Sequence, residues 1–243
     1  VVNTYLHDGT PEGFLSALLA ARGLDPAEIQ LPATGRAEPE LFAVPCEVPA
    51  DPENARSWLE NLSNRHGPEI PRRLMYLYYS ESPRAGALAL AYLDLLETWG
   101  VEADQHLTHP VIRSLMPLCQ NVGREIHRLK GLLRFAEIDP PALQALMEPD
   151  YNILLPVAFH FRRRLGAQPW LMVDVRRKRA AHWDTRQLSF VDVAVTPAGR
   201  TPPDEVARLW QTFYRTVAIP DRKNEALRRQ HMPERYWKYL AEI

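Results

Sequence analysis

Proline punctuates this chain, and the residue before six of its prolines says where helices begin. Pro11 follows Thr10, Pro26 follows Asp25, Pro52 follows Asp51, Pro83 follows Ser82, Pro140 follows Asp139 and Pro202 follows Thr201. A capping oxygen ahead of a proline is a strong start signal, because the missing N–H would have no intrahelical partner at the first helical position. The pattern predicts helices over 11–22, 52–64, 84–99, 140–147 and 203–217. A longer helical run is expected over 110–135, and the tail over 220–242 reads as one or two more. Strands are fewer, at 1–6, 41–48, 170–175 and 189–195. In the third, Leu171, Val173 and Val175 alternate with Trp170, Met172 and Asp174. In the fourth, Val191, Val193 and Val195 share one side. The class expected is α+β, helix-dominated, with a small mostly antiparallel sheet.

Composition narrows the function classes. With 243 residues, 46% hydrophobic and 24% charged, the chain has the make-up of a soluble globular protein with a substantial core. Its longest apolar stretch, 86–96, is interrupted by Asp94 and is too short to span a bilayer, and no stretch reads as a signal peptide. Cys46 and Cys119 stand far apart, which argues against a disulfide framework, a cysteine zinc site or a cysteine-held iron–sulfur cluster. A reducing cytoplasm is the expected home, with no membrane partner. Charge is divided unevenly. Residues 1–121 hold eight arginines and no lysine against 16 acids, a net −8; residues 122–243 hold 21 basic and 14 acidic side chains, a net +7. The second half therefore suits an anionic partner.

The sharpest feature of that half is a basic helix, 124–134. At about 100° per residue, Val122, Ile126, Leu129 and Leu133 fall in one arc opposite Arg124 and form its buried stripe. Arg124, His127, Arg128, Lys130, Gly131 and Arg134 occupy the other side, diluted only by Glu125. Gly131 leaves room for a phosphate to approach, and Phe135 is placed to stack on a base. Arg176, Arg177, Lys178 and Arg179 form a second basic run after the strand at 170–175, and Arg162, Arg163 and Arg164 a third. Trp170, Trp183 and Trp237 offer stacking planes, although burial is the commoner fate of tryptophan.

The stretch Gly123-Arg124-Glu125-Ile126-His127-Arg128-Leu129-Lys130-Gly131-Leu132-Leu133-Arg134-Phe135 resembles the signature of a bacterial DNA metabolism family, the domain of unknown function DUF4130. Three further blocks agree in order. They are Glu148-Pro149-Asp150-Tyr151-Asn152-Ile153-Leu154; Pro169-Trp170-Leu171 with Asp174 and Arg176-Arg177; and Arg222-Lys223-Asn224 with Met232-Pro233-Glu234-Arg235-Tyr236-Trp237-Lys238. Tyr151 departs from the pattern, which carries His there in many relatives. The opening from Tyr5 to Leu15, with Asp8-Gly9 and Glu12-Gly13, also resembles that family's start, so the resemblance spans essentially the whole chain. It implies a basic domain over 84–243, with 1–83 a strand–helix region packed on it. It also implies DNA as partner, in a bacterial repair or modification pathway, with a radical S-adenosylmethionine protein and a uracil-DNA glycosylase-like protein as associates.

Three functions stay open on the residues. The first is a DNA-binding accessory that holds DNA through Arg124, His127, Arg128, Lys130, Gly131, Arg134, Arg176, Arg177, Lys178, Arg222 and Lys223. The second is a metal-dependent or acid–base enzyme acting on nucleic acid through Glu148, Asp150, His160 and His127. Their spacing matches no metal motif, no metal is assigned, and the residues name no cofactor. Capping of a helix starting near 152 explains Asp150 and Asn152 without a ligand and is the favoured reading of these residues. The third is a protein-interaction module without DNA contact, using the acidic half as its docking face.

Overall fold

A computed structural model describes residues 3–35, 45–139, 142–194, 229 and 232–239. The chain divides into two compact units, 1–123 and 124–243. The charge division found in the sequence falls at the same place, since residues 122 and 123 are Val and Gly. In the family-based division at 83/84, the helix that follows Pro83 opens the second domain; by packing, that helix belongs to the first unit.

The first unit begins with β1 (Asn3–Leu6), which feeds α1 (Pro11–Ala20). The Thr10 side chain accepts from the Gly13 N–H at 3.0 Å, and Asp8 Oδ1 accepts from both the Thr10 N–H and its hydroxyl. Two short strands, β2 (Ile29–Gln30) and β3 (Cys46–Glu47), flank β1 in the order β2-β1-β3, both parallel to it. The parallel pairing departs from the expected antiparallel sheet, and residues 41–44 of the expected second strand lie outside those described. Next come α2 (Pro52–His66), capped by Asp51, then α3 (Glu69–Ser80) and α4 (Ala85–Trp99). No proline cap announces α3, which escapes the sequence pattern for that reason. Phe14, Leu18, Ile70, Leu74, Leu77, Leu88 and Tyr92 are buried in one core, joined by Ile112 and Leu115 of α5 (Pro110–Leu132). Gly86 lets α4 approach the chain after β2, because a Cβ there would stand 2.5 Å from Leu31 Cγ.

The second unit carries the rest of α5 and a five-stranded sheet. Its strands are β4 (Ala136–Asp139), β5 (Ala142–Met147), β6 (Trp170–Asp174), β7 (Arg179–Trp183) and β8 (Leu188–Asp192), in that spatial order. Every neighbouring pair is antiparallel except β5 and β6, which are joined through α6 (Leu154–Arg164) as a crossover. The helix expected over 140–147 is instead β5. Its central place in the sheet overrides the Asp–Pro start signal, and Ala145 and Met147 are buried with a period of two. The last expected strand is present as β8, with Val191 44% exposed on this edge strand, and Val195 lies outside the described residues. The helix expected over 203–217 lies outside the described residues. Of the tail, a 3-10 helix (Glu234–Tyr239) is described. The fold is α+β and helix-dominated, as the sequence predicts.

Gly86→Ala is expected to lower stability by about 1–3 kcal/mol through overpacking against Leu31. That loss exceeds the roughly 1 kcal/mol of helix preference gained. Urea unfolding should show a lower midpoint at unchanged slope.

Candidate nucleic-acid interface

On α5 the apolar stripe is where the helical period puts it. Val122, Ile126, Leu129 and Leu133 are all under 9% exposed. Arg124, His127 and Gly131 are exposed, whereas Arg128, Lys130 and Arg134 are half-buried. A Cβ on Gly131 would meet nothing within 4 Å, so no packing demand explains that glycine. Arg134 lies past the last helical residue and turns back, donating to the carbonyl of Gly131 at 2.9 Å and to that of Leu133. It caps the helix C-terminus, where a cation is favoured. Phe135 also lies past the helix and does not extend the basic face. It packs edge-on against Phe161 and Trp170, with centroids 4.9 and 6.1 Å away.

Glu125 does not sit on the basic face at all. It is 2% exposed, and its two oxygens accept the backbone N–H groups of Asp150 (3.0 Å) and Tyr151 (2.9 Å). Its Oε1 also accepts the hydroxyl of Tyr236, itself 2% exposed. The helical period offers a clue: Glu125 falls about 100° from Arg124 but only about 40° from Leu129, at the margin of the buried arc. The same loop is gripped from the opposite side of its peptide groups. Arg177 donates to the carbonyls of Pro149 (3.2 Å) and Asp150 (2.9 Å). Its guanidinium also pairs with Asp174 at 3.1 Å, and its backbone N–H is accepted by Asp174 Oδ1. Asp174 is wholly buried, and burial pushes its carboxyl up while Arg177 pulls it back. Arg177 therefore belongs to the frame and is 9% exposed at its side chain, unlike the surface cation the sequence suggested. Asp174, Tyr236 and Tyr239 are frame residues that charge patterning passes over.

The remaining candidates scatter. Arg176 is exposed in the β6–β7 turn, 3.7 Å from the Asp150 carboxylate, and Lys178 is exposed beside it with φ of 53°. Arg222 and Lys223 lie outside the described residues. Glu148 accepts from the Tyr239 hydroxyl at 3.1 Å. Neither Asp150 nor Asn152 caps α6, which starts after Ile153 without a side-chain cap. The His160 ring is held below its ordinary pKa of 6.5 by burial and then by Lys130, Arg164 and Arg163, all cations rather than carboxylates. Its Nε2 is buried without a hydrogen-bond partner among the described residues. Glu148 and Asp150 are engaged by Tyr239 and Arg176, His160 sits among cations, and no metal-holding group of three His, Cys, Asp or Glu side chains occurs among the described residues. Of the stacking candidates, Trp170 and Trp183 are buried, and Trp237 is half-buried with its indole N–H donating to Met232.

This frame and its electrostatics set measurable costs. Glu125→Ala strands two backbone N–H groups and a phenol, and is expected to cost at least about 3 kcal/mol. Tyr236→Phe should cost about 1.5–3 kcal/mol, and a double-mutant cycle with Glu125→Ala should be strongly non-additive in chemical denaturation. For His160 the sign runs toward acid instability. As pH falls below about 6.5 the unfolded chain binds the proton before the folded ring does, so stability drops until the folded ring titrates. Comparing unfolding midpoints at neutral and mildly acid pH, wild type should lose more stability than His160→Gln.

No curated protein and no solved structure matches the chain significantly. The DUF4130 family, a domain of unknown function, matches residues 83–242. That span takes in α4, the basic helix, Glu125, the loop it holds, Asp174, Arg177 and Tyr236, and the chain belongs to the DUF4130 family.

Proposed function

We propose that the second unit binds the phosphate backbone of DNA, and that the protein is a DNA-binding accessory in a bacterial repair or modification pathway of the cytoplasm. The observation that carries this reading is the segregation of charge by folding unit. The acidic unit carries −8 and the basic unit +7, a separation that a merely solvated surface does not require. Within the basic unit, exposed basic side chains include Arg124 and His127 on α5, Arg163 and Arg164 at the end of α6, and Arg176 and Lys178 in the β6–β7 turn. Arg162 is exposed as well, with its guanidinium over the rings of Phe159 and Trp183.

A frame pinned by Glu125 and Arg177 supports such a role, because pre-set cations lose less conformational freedom on binding. Phosphate contacts of this kind position a duplex or strand without reading its sequence. A radical S-adenosylmethionine protein as working partner, and a uracil-DNA glycosylase-like protein as an associate, rest on the family resemblance alone. The acid–base alternative through Glu148, Asp150, His127 and His160 is less favoured, because the surroundings of His160 are cationic and Glu148 is engaged by Tyr239.

Binding to an oligonucleotide should weaken steeply as salt rises. Arg124→Ala and Arg176→Ala should each lower the log–log slope by about 0.7–0.9, the amount for one lost phosphate contact. Fluorescence anisotropy across a salt series reads this. Affinity that is absent, or flat across ionic strength, overturns the proposal.

A further inference from the structure

A cavity of about 200 Å³ opens in the first unit between α2, α4 and the end of α1. Its floor is apolar: Leu93 and Leu96 are buried, and Leu62 and Trp58 are half-buried. The volume is below that of sites for drug-sized ligands, so it suits the body of a single-ring molecule. Trp58 offers such a ring a flat partner.

The rim decides the charge of the occupant. Arg22 and Glu97 stand at one side and pair with each other, so they neutralise one another. At the other side Asn61, Arg65 and His66 come from the last turns of α2. None of these three side chains makes a hydrogen bond or ion pair among the described residues. Arg65 is therefore an unmatched cation at the mouth of an apolar hollow, in a unit whose net charge is −8 and where carboxylates to pair with it abound. Cations are favoured at a helix C-terminus whatever they face. That effect explains a positive charge at this end of α2, but not the apolar hollow beneath it or the amide and imidazole beside it.

We propose that this cavity binds a small aromatic acid, with the ring on Trp58 and the leucine floor and the anionic group on Arg65, Asn61 and His66. Arg65 presents a planar fork that takes a carboxylate or a phosphate through two parallel N–H donors. Asn61 and His66 add donors to the remaining oxygens. Arg22, Trp58 and the α2 donors all precede residue 83, so the site lies mostly outside the matched family span. It is a property of this chain's first unit and does not depend on DNA binding by the second.

The test uses the full chain with three probes: benzoate, phenyl phosphate and the uncharged benzyl alcohol. Amide NMR shifts over 58–66 and 93–97 should saturate with benzoate or phenyl phosphate at a Kd of about 1 mM or tighter, and should be at least ten-fold weaker with benzyl alcohol. The tighter of the two acids identifies the anionic group. Arg65→Gln should lose at least ten-fold in affinity with its own melting temperature little changed, since Arg65 is exposed. Arg65→Lys keeps the helix-end charge and should still bind more weakly than wild type. Equal binding of all three probes, no saturable shift, or full affinity in Arg65→Gln overturns the proposal.

Discussion

A carboxylate removed from water must find enough donors to replace its hydration, or it destabilises the fold that buries it. Glu125 meets that demand with two adjacent backbone N–H groups and a phenol, drawn from two segments far away in the chain. The arrangement holds the 148–152 loop by the peptide N–H groups of Asp150 and Tyr151. Arg177 completes it by taking the carbonyls of the same loop while Asp174 balances its charge. Two buried ions of opposite sign thus hold one stretch of backbone by its donors and its acceptors. Such contacts add less to net stability than to uniqueness, because the alternative pairings would leave a charge uncompensated.

Much of this architecture was legible in the residues. The capping prolines located α1 and α2 to within a few positions, since capping is local chemistry that the sequence states outright, and α4 begins close to Pro83 although Arg84, without a side-chain cap, is its N-cap. The apolar stripe of α5 followed from its period. What the residues concealed was tertiary. Asp139-Pro140 carries a helix-start signal, yet 142–147 is a strand because β4 and β6 flank it on both sides. Arg177 sits in a run of four basic residues, and nothing local distinguishes the one that turns inward from its exposed neighbours. Glu125 looked like a stray acid on a basic face because its partners lie 25 and 111 residues away.

The family span and the packing units cut the chain differently. The family match begins at residue 83, whereas α4 and the first half of α5 share a core with α1 and α3. A fragment starting at residue 83 would keep the basic helix but would leave Leu88, Tyr92, Ile112 and Leu115 without the residues that bury them. Kinship and folding are therefore separate divisions here, and the helix that carries the cationic surface bridges them.

The 111-residue separation between Glu125 and Tyr236 also bears on how the protein is made. At a synthesis rate of about 5–20 residues per second, roughly 5–20 s pass between the emergence of the acid and that of its phenol. Through that interval the Glu125 carboxylate lacks the phenol, the last of its three donors to be synthesised. Completion of the second unit is in this sense a late event of translation, timed by a tyrosine and not by the helix itself.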